Sequence, residues 1–241
     1  MTRVFVTASC RPGVDIDLES DDAHHLSQVL RMKPGEEIVV VSDGNAWRAA
    51  LTAVSAREAR AKILAAHEAD RRGELPVAVT VLQAVPKGTK MDDVIEKVVE
   101  LGAARIQPIR CARSYGGDNQ AKLERWRRIA KSAARQSQRL IIPEVDEPLE
   151  FNAALARAAA ASTTLVAYEG ARAHSLADAL APSDDRALSL VIGPEGSFTE
   201  DELRLAREAG GALVSLGPTV LRTETAAAAM LSAVAALRGW W

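Results

Sequence analysis

Two short stretches near the C-terminus bring together residue types that can hold and act on a small molecule. They are Gly193-Pro194-Glu195-Gly196-Ser197 and Leu216-Gly217-Pro218-Thr219-Val220-Leu221-Arg222-Thr223-Glu224-Thr225-Ala226. Each follows a β-like apolar run and precedes a helical pattern, which is where an α/β protein builds a ligand site. Loops leaving the carboxyl ends of strands present free backbone N–H and C=O groups, and glycine lets a ligand approach the main chain closely. Their closeness in sequence points to one shared pocket. Taken alone, Gly193-Pro194-Glu195-Gly196 is equally well explained as a tight turn. It has neither the G-x-G-x-x-G spacing of a dinucleotide site nor the Gly-Lys-Ser/Thr of a P-loop, so dinucleotide and triphosphate readings fall. In the second stretch, capping by Thr223 or Thr225 and a surface pair of Arg222 with Glu224 would explain part of the pattern. An Arg, two Thr and a Glu crowded before the apolar run Ala226-Ala227-Ala228-Ala229-Met230-Leu231 exceed what a helix cap requires.

The elements that must position these loops fall into two parts. Residues 1–72 read as a small β-rich domain. Strands are expected at 3–6, 37–41, 47–54 and 59–65, a short helix at 23–31, and a turn at Ser42-Asp43-Gly44-Asn45. The charged, Gly- and Pro-containing segment 70–76 is the expected linker. From 76 to 241 strand alternates with helix. Strands are expected at 77–84, 106–109, 163–168, 187–192 and 212–216, with helices at 90–101, 122–139, 149–161, 175–180, 199–209 and 225–237. That alternation predicts a mainly parallel sheet covered by helices on both faces. Thr199 with Glu202 forms a capping-box pattern that starts a helix just after the first glycine loop.

The chain of 241 residues carries 30 Lys+Arg against 32 Asp+Glu and is 48% hydrophobic, which describes a folded globular protein. Near-neutral charge argues against holding nucleic acid mainly by bulk charge. The segment 122–139 is a local exception: Lys122, Arg125, Arg127, Arg128, Lys131, Arg135 and Arg139 are opposed only by Glu124. At helical spacing Leu123, Trp126, Ala130 and Ala133 form an apolar stripe, while Arg128, Ser132, Arg135 and Arg139 share another face. Scarce opposing acid favours phosphate binding over a merely solvated face. Cys10 and Cys111 have neither metal nor disulfide spacing and suit a reducing cytoplasm. No signal peptide is expected at the N-terminus. The apolar run 226–237 is shorter than the roughly 20 residues a bilayer span requires, so it reads as a buried helix. His24-His25 lacks further ligands at metal-binding spacing, the nearest histidine being His67, so no metal is expected.

The paired motifs Ile192-Gly193-Pro194-Glu195-Gly196 and Leu216-Gly217-Pro218-x-x-Leu221-Arg222-Thr223-Glu224-Thr225-Ala226 resemble the RsmE family of 16S ribosomal RNA uridine-N3 methyltransferases, within the SPOUT (trefoil-knot) superfamily. Four further stretches are similar to the family's patterns in the same order: His24-His25-Leu26-x-x-Val29-Leu30-Arg31-Met32-Lys33-x-Gly35, Glu100-Leu101-Gly102-Ala103, Arg113-Ser114, and Ala134-Arg135-Gln136-Ser137-x-Arg139-x-x-x-Pro143. Ser197 stands where the family usually has a second consecutive Gly, and Val99 where a Thr commonly precedes Glu-Leu-Gly.

The resemblance implies an N-terminal PUA-like β-barrel RNA-binding domain over 1–72 and a SPOUT methyltransferase domain with a C-terminal trefoil knot over 76–241. It implies S-adenosylmethionine as cofactor, small-subunit 16S rRNA as partner, and a homodimer working in the cytoplasm without membrane or metal. Cofactor contacts are expected from Gly193, Pro194, Glu195 and Gly196 of the first loop and from Leu216, Gly217, Val220, Leu221 and Thr223 of the second. A sulfonium carries its own electrophile, so no metal is called for. Methylation at uridine N3 requires loss of a proton and stabilisation of a base becoming anionic, for which Arg222 is the candidate, with Glu224 orienting Arg222 or relaying the proton. RNA contacts are expected from Arg3, His25, Arg31, Lys33, Arg128, Arg135 and Arg139. Two alternatives remain open: a non-catalytic RNA-binding assembly protein, and a SPOUT methyltransferase with another RNA target.

Overall fold

Alternating burial along short strands builds the N-terminal part. In the computed structural model, which describes residues 1–68, 73–114, 120–171, 174–180 and 186–240, Ala59, Ala61 and Ile63 face inward while Arg60, Lys62 and Leu64 face outward. Residues 70–72 of the expected linker lie outside the described residues. The chain divides into two compact units, Met1–Glu74 with Ala134–Ile141, and Leu75–Ala133 with Ile142–Trp241.

The first unit holds β1 (Arg3–Phe5), β2 (Asp15–Leu18), β3 (Glu37–Ser42), β4 (Asn45–Val54) and β5 (Ala59–Ala66) in the order β1-β3-β4-β5-β2. Strands β3 and β4 join through Asp43 and Gly44, both at positive φ (49° and 70°), the geometry of a two-residue hairpin turn. The terminal strands, three and four residues long, pair with β3 and β5 and not with each other, so the sheet is a curled half-barrel and not a closed barrel. Sequence reading passes over β2 because Asp is a poor strand former. Here Asp15 and Asp17 lie opposite Lys62 and Arg60 of β5, and Arg60 Nε meets Asp17 Oδ1 at 2.6 Å.

The expected helix at 23–31 is two pieces, α1 (Ser20–His24) and a π-helical turn over His25–Val29. The Leu30 N–H reaches back to the His25 carbonyl (3.0 Å), Arg31 takes φ 55°, and Met32 returns to the core beside Leu26. Val29 and Leu30 stay exposed, as do Arg31 and Lys33.

Three of the expected RNA contacts are framework groups instead. Arg139 is 1% exposed, its Nε donating to Glu74 Oε2 at 3.1 Å, because α3 ends at Gln136. Gln138 then takes φ 60° and the Arg139 N–H bonds the Ala134 carbonyl (2.9 Å), turning inward a side chain that continued helical spacing would place outside. Arg3 is buried and donates to the Arg139 carbonyl at 3.0 Å. Arg135 pairs with the buried carboxylate of Asp22.

The second unit contains β6 (Ala78–Ala84), α2 (Lys90–Glu100), β7 (Arg105–Arg110), α3 (Gln120–Gln136, whose last residues group with the first unit), β8 (Glu144–Val145), β9 (Leu149–Glu150) and α4 (Phe151–Ala161). It continues with β10 (Thr163–Ala167), α5 (Leu176–Leu180), β11 (Ala187–Ile192), α6 (Glu200–Glu208), β12 (Ala212–Val214) and α7 (Thr223–Leu237). Its strands run parallel in the order β12-β10-β11-β6-β7-β8, with β9 also on β7. Both sides of β11 are buried, the mark of a sheet covered on two faces. Helices α4 and α6 cover Leu82, Ile109, Val166 and Val191, and α7 packs on β11 beside α2. The apolar stripe of α3 is buried at Leu123, Trp126, Ala130 and Ala133, and Arg128 is exposed. Because the strands are parallel, the ends of β10, β11 and β12 emerge at one edge. Among the described residues, no helix is long and apolar enough to cross a membrane.

Arg135→Ala removes the guanidinium from the buried Asp22 carboxylate and is expected to lower unfolding free energy by about 3 kcal/mol in urea titration; parental stability would show that the pair is not a framework contact.

Candidate active site

The capping box expected from Thr199 and Glu202 is formed: Thr199 Oγ1 accepts from the Glu202 N–H (3.2 Å) and Glu202 Oε2 accepts from the Thr199 N–H (2.8 Å). It starts α6 directly after the first loop and leaves Gly193 to Phe198 as a compact turn, in which the Ser197 N–H bonds the Pro194 carbonyl at 3.0 Å. Ser197 sits at φ 60°. Phe198 packs on Phe151 with ring centroids 5.5 Å apart, and a Cβ placed on Gly193 would come within 3.0 Å of the Phe198 ring. Close approach therefore keeps position 193 a glycine. At Gly217 the cause is different, a φ of 129°.

Thr223 carries the junction between the loops. Its hydroxyl donates to the Gly193 carbonyl (2.6 Å) and accepts from Gln83 Nε2 (2.8 Å), and Gln83 is fully buried. Thr223 is thus the first residue of α7 and a bridge between strand ends; it does not cap, and helix α7 begins two residues before the sequence pattern places it.

The two loops enclose a cavity of about 270 Å³. Its apolar walls are Ile192, Phe198, Leu221 and Ala226, and its polar groups include Glu169, Glu195 and Arg222. A smaller neighbouring cavity of about 70 Å³ is lined by Leu216, Gly217 and Tyr168 and shares Glu169, Val220 and Leu221 with the first. Of the expected cofactor residues, Gly193, Pro194, Glu195, Val220, Leu221 and Thr223 line the larger cavity, and Leu216 and Gly217 the smaller. Gly196 lines neither; its carbonyl accepts from Arg113 at 2.6 Å. An apolar slot with exposed backbone and carboxylates at its rim fits an adenosyl group bearing a sulfonium and an amino-acid tail with an ammonium group.

Arg222 is exposed at the wall of the larger cavity, and its guanidinium makes no hydrogen bond or ion pair among the described residues. The expected Arg222–Glu224 pair is not formed. Glu224 lines neither cavity, because the first helical turn of α7 carries it toward α2, where its Oε2 lies 3.9 Å from Lys90 Nζ. Lys90 also meets Glu195 Oε1 at 3.0 Å, and the Lys87 N–H donates to that same oxygen at 3.2 Å. Burial alone would raise the Glu195 carboxyl; hydrogen bonds from its own N–H, from Lys90 and from Lys87 outweigh it and hold the group below the usual carboxylate range. Burial pushes the Cys111 and Cys10 thiols upward, which disfavours their thiolate forms.

Sequence reading misses Glu169, Phe198, Lys90, Gln83 and Arg113 as parts of this site. Glu169 lies two residues past β10 and Phe198 one residue past the first glycine loop, so both could be found by extending those segments; Lys90, Gln83 and Arg113 arrive from elements distant in sequence, and of these only Arg113 falls in a stretch that the sequence singles out.

The chain joins a curled half-barrel sheet to a parallel α/β unit with a cavity at its strand ends, and family models of a two-part RNA methyltransferase match both. The model of the RNA methyltransferase domain matches residues 73–235, and that of the RNA methyltransferase PUA domain matches residues 18–64. Ribosomal RNA small subunit methyltransferase E of Mycobacterium tuberculosis is 37% identical over 236 residues, 93% of this chain and 87% of that protein. The protein of the same name from Bacillus subtilis is 36% identical over 227 residues, 90% and 88% of the two chains. The crystal structure of ribosomal RNA small subunit methyltransferase E from Neisseria gonorrhoeae bound to S-adenosyl methionine aligns with a TM-score of 0.91 at 36% identity, covering 98% of each chain. The chain belongs to the ribosomal RNA small subunit methyltransferase E family.

Ser at φ 60° costs about 1 kcal/mol relative to glycine. Ser197→Gly is therefore expected to raise the melting temperature slightly; a fall would show that the Ser197 side chain makes a compensating contact. Since the Glu195 carboxyl is held below its unfolded value, its contribution is complete above about pH 4.3 and fades as pH falls through the lower folded value. The stability difference between parent and Glu195→Gln is expected to stay constant from pH 7 to about 5 and to shrink below about 4.

Proposed function

We propose that this protein transfers the methyl group of S-adenosylmethionine to N3 of one uridine in 16S ribosomal RNA of the small subunit. The observation that carries the reading is Arg222, a guanidinium with no partner among the described residues, on the wall of a cavity built by both glycine-proline loops. Bound there, the cofactor supplies a methyl group on a sulfonium. The chain's own residues do the rest. Ile192, Phe198, Leu221 and Ala226 offer the apolar slot, and Gly193 leaves its backbone open to the cavity. Glu169 and Glu195 offer carboxylates for hydroxyl or ammonium groups. Arg222 faces the charge that builds on the uracil ring as its N3 proton leaves, where a preorganised cation is most effective.

For RNA, the reading keeps Arg31 and Lys33 with His25 in the first unit and Arg128 on α3, and withdraws Arg3, Arg135 and Arg139. It includes a PUA-like RNA-binding domain ahead of a knotted methyltransferase domain, and a homodimer in the cytoplasm. The half-buried small residues Ala228, Ala229, Ser232 and Ala233 on α7, with Leu237 52% exposed beyond them, support close packing of a second copy.

The test is methyl transfer from labelled S-adenosylmethionine to small subunits isolated from cells lacking the gene, read by nucleoside mass spectrometry. Appearance of 3-methyluridine at one site supports the reading. Cofactor binding without that product points to another RNA target, and absence of both points to a non-catalytic RNA-binding protein. Arg222→Ala is expected to reduce kcat by about 100-fold or more, with melting temperature and cofactor Kd close to the parent's; parental turnover would remove Arg222 from the mechanism.

A further inference from the structure

Lys90 occupies a position that helix formation does not explain. It is the first residue of α2, at the positive end of the helix macrodipole, where a cation is unfavourable and where Asp92 and Asp93 supply the expected acids. Its ammonium is instead shared by two carboxylates from separate loops: Glu195 of the first glycine loop at 3.0 Å and Glu224 of α7 at 3.9 Å. The three side chains are 38%, 26% and 14% exposed, so the cluster is partly withdrawn from water and its ion pairs are less screened than surface ones. Glu195 lines the cavity, whereas Glu224 does not, and Glu224 Oε2 is buried without a hydrogen-bond partner.

We propose that Lys90 is a positioning residue: Glu224 anchors its ammonium, and the ammonium holds Glu195 and the first loop in the shape that receives the cofactor. This rests on reading the cavity as the S-adenosylmethionine site, and it gives Glu224 a role through Lys90 in place of one on Arg222. Hydrogen bonds from outside the short loop then hold it, namely Thr223 on the Gly193 carbonyl, Lys90 and the Lys87 N–H on the Glu195 side chain, and Arg113 on the Gly196 carbonyl. Of these four, the Lys90 attachment alone is ionic at both ends and alone engages a second carboxylate, that of Glu224 on α7.

A positioning role predicts a split between binding and turnover. Lys90→Met in the full chain is expected to raise Kd and KM for S-adenosylmethionine about tenfold, the size of a lost charge-assisted hydrogen bond, while kcat at saturating cofactor stays within about twofold. Lys90→Arg restores most of the affinity. Glu224→Gln shows the same signature more weakly, and the double variant Lys90→Met/Glu224→Gln is no worse than Lys90→Met alone, because the two act in series.

Hydrogen exchange on the protein without cofactor supplies a readout that does not depend on the methyltransferase reading. The amides of Gly193, Glu195, Gly196 and Ser197 are expected to exchange several-fold faster in Lys90→Met and at the parental rate in Lys90→Arg. Parental exchange in Lys90→Met, or failure of Lys90→Arg to restore it, overturns the proposal. So does a fall in kcat with Kd unchanged. If exchange responds as expected but the parent binds no S-adenosylmethionine, the latch stands and the assignment of the cavity falls.

Discussion

One hydroxyl group ties the site together. Thr223 Oγ1 accepts from Gln83 on β6 and donates to the carbonyl of Gly193 beyond β11, at the point where α7 begins. A hydroxyl can donate once and accept twice, so this buried group is satisfied while joining three segments far apart in the chain. The Gly193 carbonyl is held from one side and Phe198 lies against the Gly193 Cα on the other, so the loop is fixed from both sides where it forms the cavity wall. Leaving any of these polar groups unpaired in the core would cost about 1–3 kcal/mol, which explains why a threonine sits at the head of an otherwise apolar helix.

The parallel sheet makes that junction possible. Strands buried on both faces place their carboxyl ends at a single edge, so loops separated in sequence by whole helices face one another. Charge is then distributed unevenly around the edge. Glu195 and Glu224 are drawn together by Lys90, and Arg113 is taken up by Gly196. Arg222, the N-cap residue of α7, has no side-chain partner among the described residues. With the surrounding cations paired, the uncompensated positive charge at the cavity wall is that of Arg222.

The N-terminal unit illustrates the opposite use of arginine. Arg3, Arg135 and Arg139 look from the sequence like a phosphate-binding set, yet Arg139 is held by Glu74, Arg135 by Asp22, and Arg3 by the Arg139 carbonyl. A planar guanidinium with several donors is well suited to such buried multidentate roles. The positive charge counted along 122–139 is correspondingly smaller at the surface, since Arg125 also pairs with Asp92 and Arg127 donates to the Val145 carbonyl. The cations that remain outward include Arg31 and Lys33, just beyond a π-helical turn that also leaves Val29 and Leu30 exposed.

The amino-acid sequence by itself determined what depends on neighbours along the chain. The Asp43-Gly44 hairpin, the Thr199–Glu202 capping box, the apolar stripe of α3 and the strand–loop–helix context of both glycine-proline stretches are local, and periodicity or turn chemistry reveals them. Only the tertiary structure decided which partners long-range packing supplies. It turned Thr223 from a cap into a bridge, withdrew Glu224 from Arg222 and gave it to Lys90, and buried Arg139 where helical spacing placed it outside. A side chain's direction follows from its own backbone, but the group it meets is set by a segment brought in by the fold: the cost of leaving a buried polar atom unpaired selects the partners of Thr223 and Arg139, and the attraction of a nearby cation places Glu224.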